Sequence, residues 1–239
     1  MQSGIYKLAG HVLEIKSLYC RIHKQCKDYK CTEIPEFCIS INEEDIHQES
    51  VKSEKTGNYQ EDYLETLAVY RKVVEYLLEF NIVLFHGSVV AVDGMAYLFT
   101  ARSGTGKSTH TGLWKRMFGE RAVIINDDKP LLELTETGVL VYGTPWDGKH
   151  HLSTNMSVPL KAICMLQRGS ENQIQLVERK KYYPFLLQQI YRPANGELLK
   201  KTLILLESVI SKVKIYELFC NQELEAAWIS YEGMNREET

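Results

Sequence analysis

The chain has 239 residues, of which 44% are hydrophobic and 25% charged, and its formal net charge is −3. These values exclude a compositionally disordered chain, leave no basic excess for a nucleic-acid footprint, and contain no apolar run of membrane-spanning length. The length suits one large α/β domain or two small ones with a sizeable core.

The opening stretch MQSGIYKLAGHVLEIKSLYC mixes charges with apolar residues and does not read as a secretory signal, so the expected setting is cytoplasmic. Cys20, Cys26, Cys31 and Cys38 lie in one stretch, and only the Cys26–Cys31 gap has a zinc-like spacing. Reduced thiols are the simpler reading, with Cys164 and Cys220 as small residues in apolar runs. Alternating runs HVLEIKS and EFCISIN predict strands, and the polar stretch NEEDIHQESVKSEKTGNYQED predicts a loop or an exposed edge hairpin. From Glu61 to Phe80, Tyr63, Leu64, Leu67, Tyr70, Val74, Leu77 and Leu78 recur at helical steps, with Asn81 as the stop.

The next stretch, IVLFHGSVVAVDGMAYLFT, places two β-branched runs around Asp93-Gly94, a strong two-residue hairpin signal. It leads into A-R-S-G-T-G-K-S, residues 101 to 108, which is G-x-x-x-x-G-K-[ST] with Ala101 in place of the first glycine. KSTHTGLWKRMFG then reads as a helix ending at Gly119, and AVIIN as a buried strand ending at Asp127-Asp128. A hairpin turning near Thr137-Gly138 follows, then strands in LKAICMLQRG and NQIQLVE and helices near 180–191 and 197–213. KIYELFC is a strand and ELEAAWISYEGM a terminal helix, so the whole predicts a mixed sheet with helices packed on it.

In such a loop, backbone N–H groups at a helix N-terminus hold phosphate without side-chain entropy cost. Ser103, Gly104, Thr105, Gly106, Lys107, Ser108 and Thr109 are the candidate nucleotide contacts, with Lys107 reaching the β- and γ-phosphates and Ser108 offering a hydroxyl to Mg²⁺. Alanine fits at position 101 if φ there is negative, which is the expectation. Of the two carboxylates, one can orient Mg²⁺ and the other can take a proton from an attacking hydroxyl. In the loop GTPWDGKHH, Lys149 can neutralise a transferred phosphate, and Trp146 can stack on a substrate or brace the loop. Arg168 and Arg192 are further candidate clamps.

His86-Gly87-Ser88 before the hairpin, the loop A-R-S-G-T-G-K-S-T and Asp127-Asp128 together resemble the HPr kinase/phosphorylase and phosphoenolpyruvate carboxykinase superfamily over about residues 82–165. The sequence is most similar to its small members, such as lasso-peptide precursor kinases and free-serine kinases. The resemblance implies an α/β, mixed-sheet carboxykinase-like P-loop fold. Residues 1–239 would then form one domain with a strand-and-loop segment (1–60), a nucleotide-binding core (61–180) and a helical part (181–239). It also implies ATP and Mg²⁺ as cofactors, Asp127 as general base, Ser108 and Asp128 at the metal, and His86 beside the γ-phosphate or acceptor. The HPr kinase signature after the second acidic strand and the carboxykinase arginine and metal-ligand set are not recognisable.

The expected function is an ATP- and Mg²⁺-dependent kinase acting on a hydroxyl in a peptide, a protein or a small molecule, with no nucleic-acid or membrane partner. Relatives often assemble, so a homo-oligomer fits the resemblance. Two alternatives stand beside it: a non-catalytic nucleotide-binding regulatory or maturation protein, and a phosphorylase or phosphatase running the reaction backwards.

Overall fold

The computed structural model describes residues 1–53, 57 and 59–236. The chain divides into two compact units, Met1–Glu79 and Phe80–Thr239.

In the first unit, β1 (Gln2–Leu8) and β2 (His11–Ser17) form an antiparallel hairpin turning on Ala9 and Gly10, both at positive φ. Helix α1 (Arg21–Gln25) leads to β3 (Phe37–Ser40), which adds to β2 in parallel. The polar stretch read as a loop or hairpin begins instead with helix α2 (Glu43–Ser53). A capping box starts it: the Asp45 N–H donates to Asn42 Oδ1 at 2.9 Å, and the Asn42 N–H to Asp45 Oδ2 at 3.0 Å. Three carboxylates in its first turn suit the helix dipole. Arg71 and Lys72 of α3 (Glu61–Leu77) pair with Glu49 at 2.7 Å and Asp45 at 2.7 Å, so charge as well as Ile46 holds α2 down. The rest of that stretch up to residue 58 lies partly outside the described residues.

In the second unit, β4 (Ile82–Leu84), β5 (Ser88–Val92) and β6 (Met95–Thr100) precede α4 (Lys107–Phe118) and β7 (Ala122–Asn126). The β5–β6 hairpin turns on Asp93 (φ 51) and Gly94 (φ 80), as the dipeptide predicts. Then come β8 (Leu131–Leu134), β9 (Val139–Tyr142), β10 (Ser157–Arg168), β11 (Gln173–Leu176), α5 (Arg179–Gln189), α6 (Gly196–Lys212), β12 (Lys214–Cys220) and α7 (Leu224–Asn235). The result is a mixed α/β unit. Strand β5 is antiparallel to both β6 and β7, while β10 is parallel to β6 and β12. Strands β7, β6, β10 and β12 therefore point the same way, and their C-terminal ends share one edge of the sheet with the start of β5. In open α/β sheets that edge is where ligands bind.

The N-terminal part of β10 also pairs with β9, which continues through β8 to β4. Helices α4 and α7 pack on each other and cover one sheet face around Tyr97, Phe99, Trp114, Phe118 and Leu218. Helix α6 packs on β4, β8 and β12.

Under α4, Trp114 Nε1 donates to Ser230 Oγ at 2.9 Å, and Ser230 Oγ lies 3.1 Å from His110 Nε2. Burial pushes the His110 imidazole down to about 3, so the fold holds it neutral while the unfolded chain protonates it near 6.5. A depressed basic group leaves stability intact above pH 6.5 and removes it as pH falls from there toward 3. Wild-type unfolding free energy is expected to drop by ~2 kcal/mol more between pH 7 and pH 5 than that of His110→Phe. Denaturant titrations at the two pH values check this, and parallel losses in both proteins would refute it.

Candidate phosphate-binding site

The loop between β6 and α4 has the shape that its glycines allow. Gly104 (φ 76) and Gly106 (φ 121) take left-handed conformations, and the Thr105 N–H closes a turn onto the Arg102 carbonyl at 3.2 Å. Ala101 is buried and is not among the positive-φ residues, so the missing first glycine costs the loop nothing here. Gly106 caps α4, and Lys107, Ser108 and Thr109 form its first turn, where backbone N–H groups have no intrahelical acceptor. Ser103 lies at the loop's exposed turn. Arg168, from the end of β10, donates to the Gly104 carbonyl at 2.6 Å, so it holds the loop itself.

The carboxylates come from the end of β7. Asn126 shapes their turn: its Oδ1 accepts from the N–H groups of Asp128 (2.9 Å) and Lys129 (2.6 Å), while its Nδ2 donates to Thr144. The two side chains sit in different surroundings. Asp127 is 6% exposed and accepts a hydrogen bond from Ser88 Oγ at 2.6 Å. Ser88 Oγ in turn lies 2.9 Å from Thr111 Oγ1, one helical turn beyond Ser108. Asp128 lies between His86 Nε2 at 3.4 Å and Lys129 Nζ at 2.8 Å. Burial alone would raise its carboxyl, but the His86 hydrogen bond and the Lys129 ammonium outweigh this and hold it at about 2.

Lys107 completes the group. Burial lowers its ammonium below the ordinary lysine value, and the Asp128 and Asp127 carboxylates offset part of that. A desolvated cation beside two carboxylates and a row of helix N–H groups is suited to an anion such as phosphate.

His86 is fixed by its backbone, whose N–H donates to the Gln189 carbonyl at 2.6 Å. The GTPWDGKHH loop reaches the same place: a Cβ built on Gly148 would stand 3.1 Å from Asp128 Cβ. Lys149 follows directly and is exposed. Trp146 is 4% exposed, which favours bracing the loop over stacking on a substrate. Arg192 is exposed on the segment that runs beside β4.

The structure thus gathers the loop residues, Asp127, Asp128 and His86 at one sheet edge. Sequence reasoning gave no role to Ser88, Thr111, Asn126 or Lys129. For Ser88, the H-G-S triplet was the available signal. Among the described residues no three His, Cys, Asp or Glu side chains gather as a metal site on their own, and the cysteines are free thiols. No helix among those residues is long and apolar enough to cross a membrane.

No family model and no curated protein matches the chain. Among solved structures it is similar to the HPr(Ser) kinase/phosphatase from Coxiella burnetii, at 15% identity over 51% of this chain and 93% of that chain, with a TM-score of 0.29.

Proposed function

We propose that this chain is an ATP- and Mg²⁺-dependent phosphotransferase of the carboxykinase-like P-loop type, which passes the γ-phosphoryl group to a hydroxyl of a peptide, a protein or a small molecule. The observation that carries this reading is the half-buried Lys107, set between the helix-capping loop and the Asp127-Asp128 turn. The donors fit the two cofactors. The loop N–H groups and Lys107 suit a polyphosphate, and a hydroxyl with a carboxylate suits Mg²⁺, which takes few protein oxygens and leaves the rest to phosphate and water. Ser108 and a carboxylate of the Asp127-Asp128 turn would hold Mg²⁺, which would supply positive charge against the polyphosphate.

The two carboxylates divide the work by their surroundings. Asp127 accepts from the Ser88 hydroxyl, which itself meets Thr111 one turn beyond Ser108 on α4, and this supports Asp127, with Ser108, as the metal-side ligand. Asp128 already balances Lys129 and, at about 2, is a weak base. It suits orienting His86, whose Nε2–H would donate to it and leave Nδ1 to take the acceptor's proton. This reverses the order that the resemblance implied for the pair. Lys149 follows Gly148, whose closeness to Asp128 supports reading this lysine as a cation that meets the transferred phosphate.

Variants separate these roles. Asp127→Asn is expected to raise the Mg²⁺ concentration for half-maximal activity by about tenfold. Asp128→Asn and His86→Gln are expected to lower kcat by about 10²-fold with MgATP affinity retained. A γ-labelled ATP screen against serine peptides and small alcohols supplies the assay. The opposite pattern would restore Asp127 as the base, and MgATP binding with no acceptor found would favour a nucleotide-sensing protein.

A further inference from the structure

Helix α5 crosses the strand ends that carry the site. Tyr216 and Leu218 of β12 pack with α4 and α7, so Glu217 between them points to the opposite face, where Tyr182 Oη donates to it at 2.6 Å. At the far end of α5, the Gln189 carbonyl accepts from the His86 N–H. The helix therefore leads from β12 to the start of β5. Of its residues, Leu186 and Gln189 are the buried ones. Lys180, Tyr183, Pro184 and Leu187 share the face turned away from those two, and Lys180 and Pro184 are exposed there. Arg179, Lys180 and Lys181 fill the first turn, which holds no acidic residue. All three are exposed, and among the described residues none of them has an ion-pair partner.

We propose that α5 is the docking surface for an acidic polypeptide acceptor, whose carboxylates meet Arg179, Lys180 and Lys181 while its hydroxyl residue reaches His86. The inference rests on the phosphotransferase reading and goes past it by choosing one acceptor class, a polypeptide with carboxylates at a set distance from its hydroxyl. Charge is the first argument. Between Arg179 and Lys214 the chain carries eight Lys or Arg against two Glu, although its net charge is −3. The cations are thus gathered on this stretch, and they complement an acidic partner. Stability does not account for the three that open α5. Like charges there oppose the helix dipole and repel one another, and no carboxylate offsets them. The second argument is the half-buried Tyr183 and Leu187, which offer apolar contact between the cations and His86. Reach is the third. From Lys180 to Gln189 the helix rises ~14 Å, which an extended peptide covers in about four residues. Acidic residues roughly four to six positions from the hydroxyl therefore match the surface.

The test compares serine peptides of one length on the full chain: one with a run of Glu about five residues from the serine, its Gln counterpart, and one with the Glu run beside the serine. Phosphate transfer from γ-labelled ATP and fluorescence anisotropy of labelled peptide are both read. The spaced acidic peptide is expected to exceed the other two by about tenfold in kcat/KM and in affinity, and raising the salt to ~0.5 M is expected to shrink that margin. The triple variant Arg179→Glu, Lys180→Glu, Lys181→Glu is expected to remove the preference. It should leave MgATP affinity and transfer to the Gln peptide within about twofold of wild type. Reversal suits the helix dipole, so the variant is expected to fold, which a thermal melt checks. Equal transfer to the three peptides, or a preference that survives the reversal, overturns the docking surface and leaves the kinase reading standing. Heparin or anionic vesicles binding through the same cations more tightly than the spaced peptide overturn the polypeptide as occupant. Acidic peptide bound but never phosphorylated, by a chain that binds MgATP, overturns its acceptor role. Failure of both MgATP and peptide to bind overturns the surface and the kinase reading together.

Discussion

Lys107→Met is expected to weaken MgATP binding by about 100-fold, ~2.7 kcal/mol, without lowering the melting temperature. Methionine keeps the length and most of the volume of the side chain and removes the charge. The loss in binding follows from the ammonium's place at the first residue of α4, beside two carboxylates that would otherwise repel an incoming polyphosphate. The unchanged stability follows from burial. Desolvation is the largest influence on this ammonium, so the folded chain holds it at a cost that methionine does not incur. Calorimetry and thermal melts of the two proteins check both halves. A variant that binds MgATP as wild type does would remove Lys107 from the site. A variant that melts well below wild type would make the lysine a structural cation of the Asp127-Asp128 turn.

Gly143→Ala is expected to destabilise the second unit by ~3 kcal/mol or more and to abolish transfer with it. A Cβ on Gly143 would lie 2.0 Å from the Thr154 carbonyl oxygen and 2.6 Å from that of Ile125. Both obstacles are backbone, so no rotamer change relieves them. The Thr154 N–H donates to the Ile125 carbonyl at 3.1 Å, and the Gly143 N–H donates to the Met156 carbonyl at 3.1 Å. Separating these segments to admit a methyl group breaks that lattice. Its next rung is the Asp127 N–H bond to the Leu152 carbonyl at 3.1 Å, so the carboxylate turn moves as well. Urea unfolding checks the stability, and a variant within about 1 kcal/mol of wild type would contradict the close approach.

What was legible in the sequence was local. The Asp93-Gly94 hairpin, the glycines of the loop and the acidic end of β7 each depend on a few adjacent residues, and each is found where its signal stands. Helix α2 was misread because its polarity outweighed a short capping box, and because the ion pairs that fasten it come from Arg71 and Lys72 in another helix. Strand β1 carried too little alternation to be singled out, and its partner strand defines it. Within the site, the Arg168 contact with Gly104 joins residues 64 positions apart, and the approach of Gly148 to Asp128 depends on the path of a whole loop. The unlike surroundings of Asp127 and Asp128 were likewise hidden. Two adjacent identical side chains differ here only because alternate directions at a strand end meet different neighbours, Ser88 for one and His86 with Lys129 for the other.

The most direct measurement is a crystal structure of the chain with Mg²⁺ and a non-hydrolysable ATP analogue. Phosphates cradled by Gly104–Ser108, with the terminal one facing His86 and Asp128, are the predicted result. Density for the analogue anywhere else, with Lys107 still turned to the two aspartates, would contradict it.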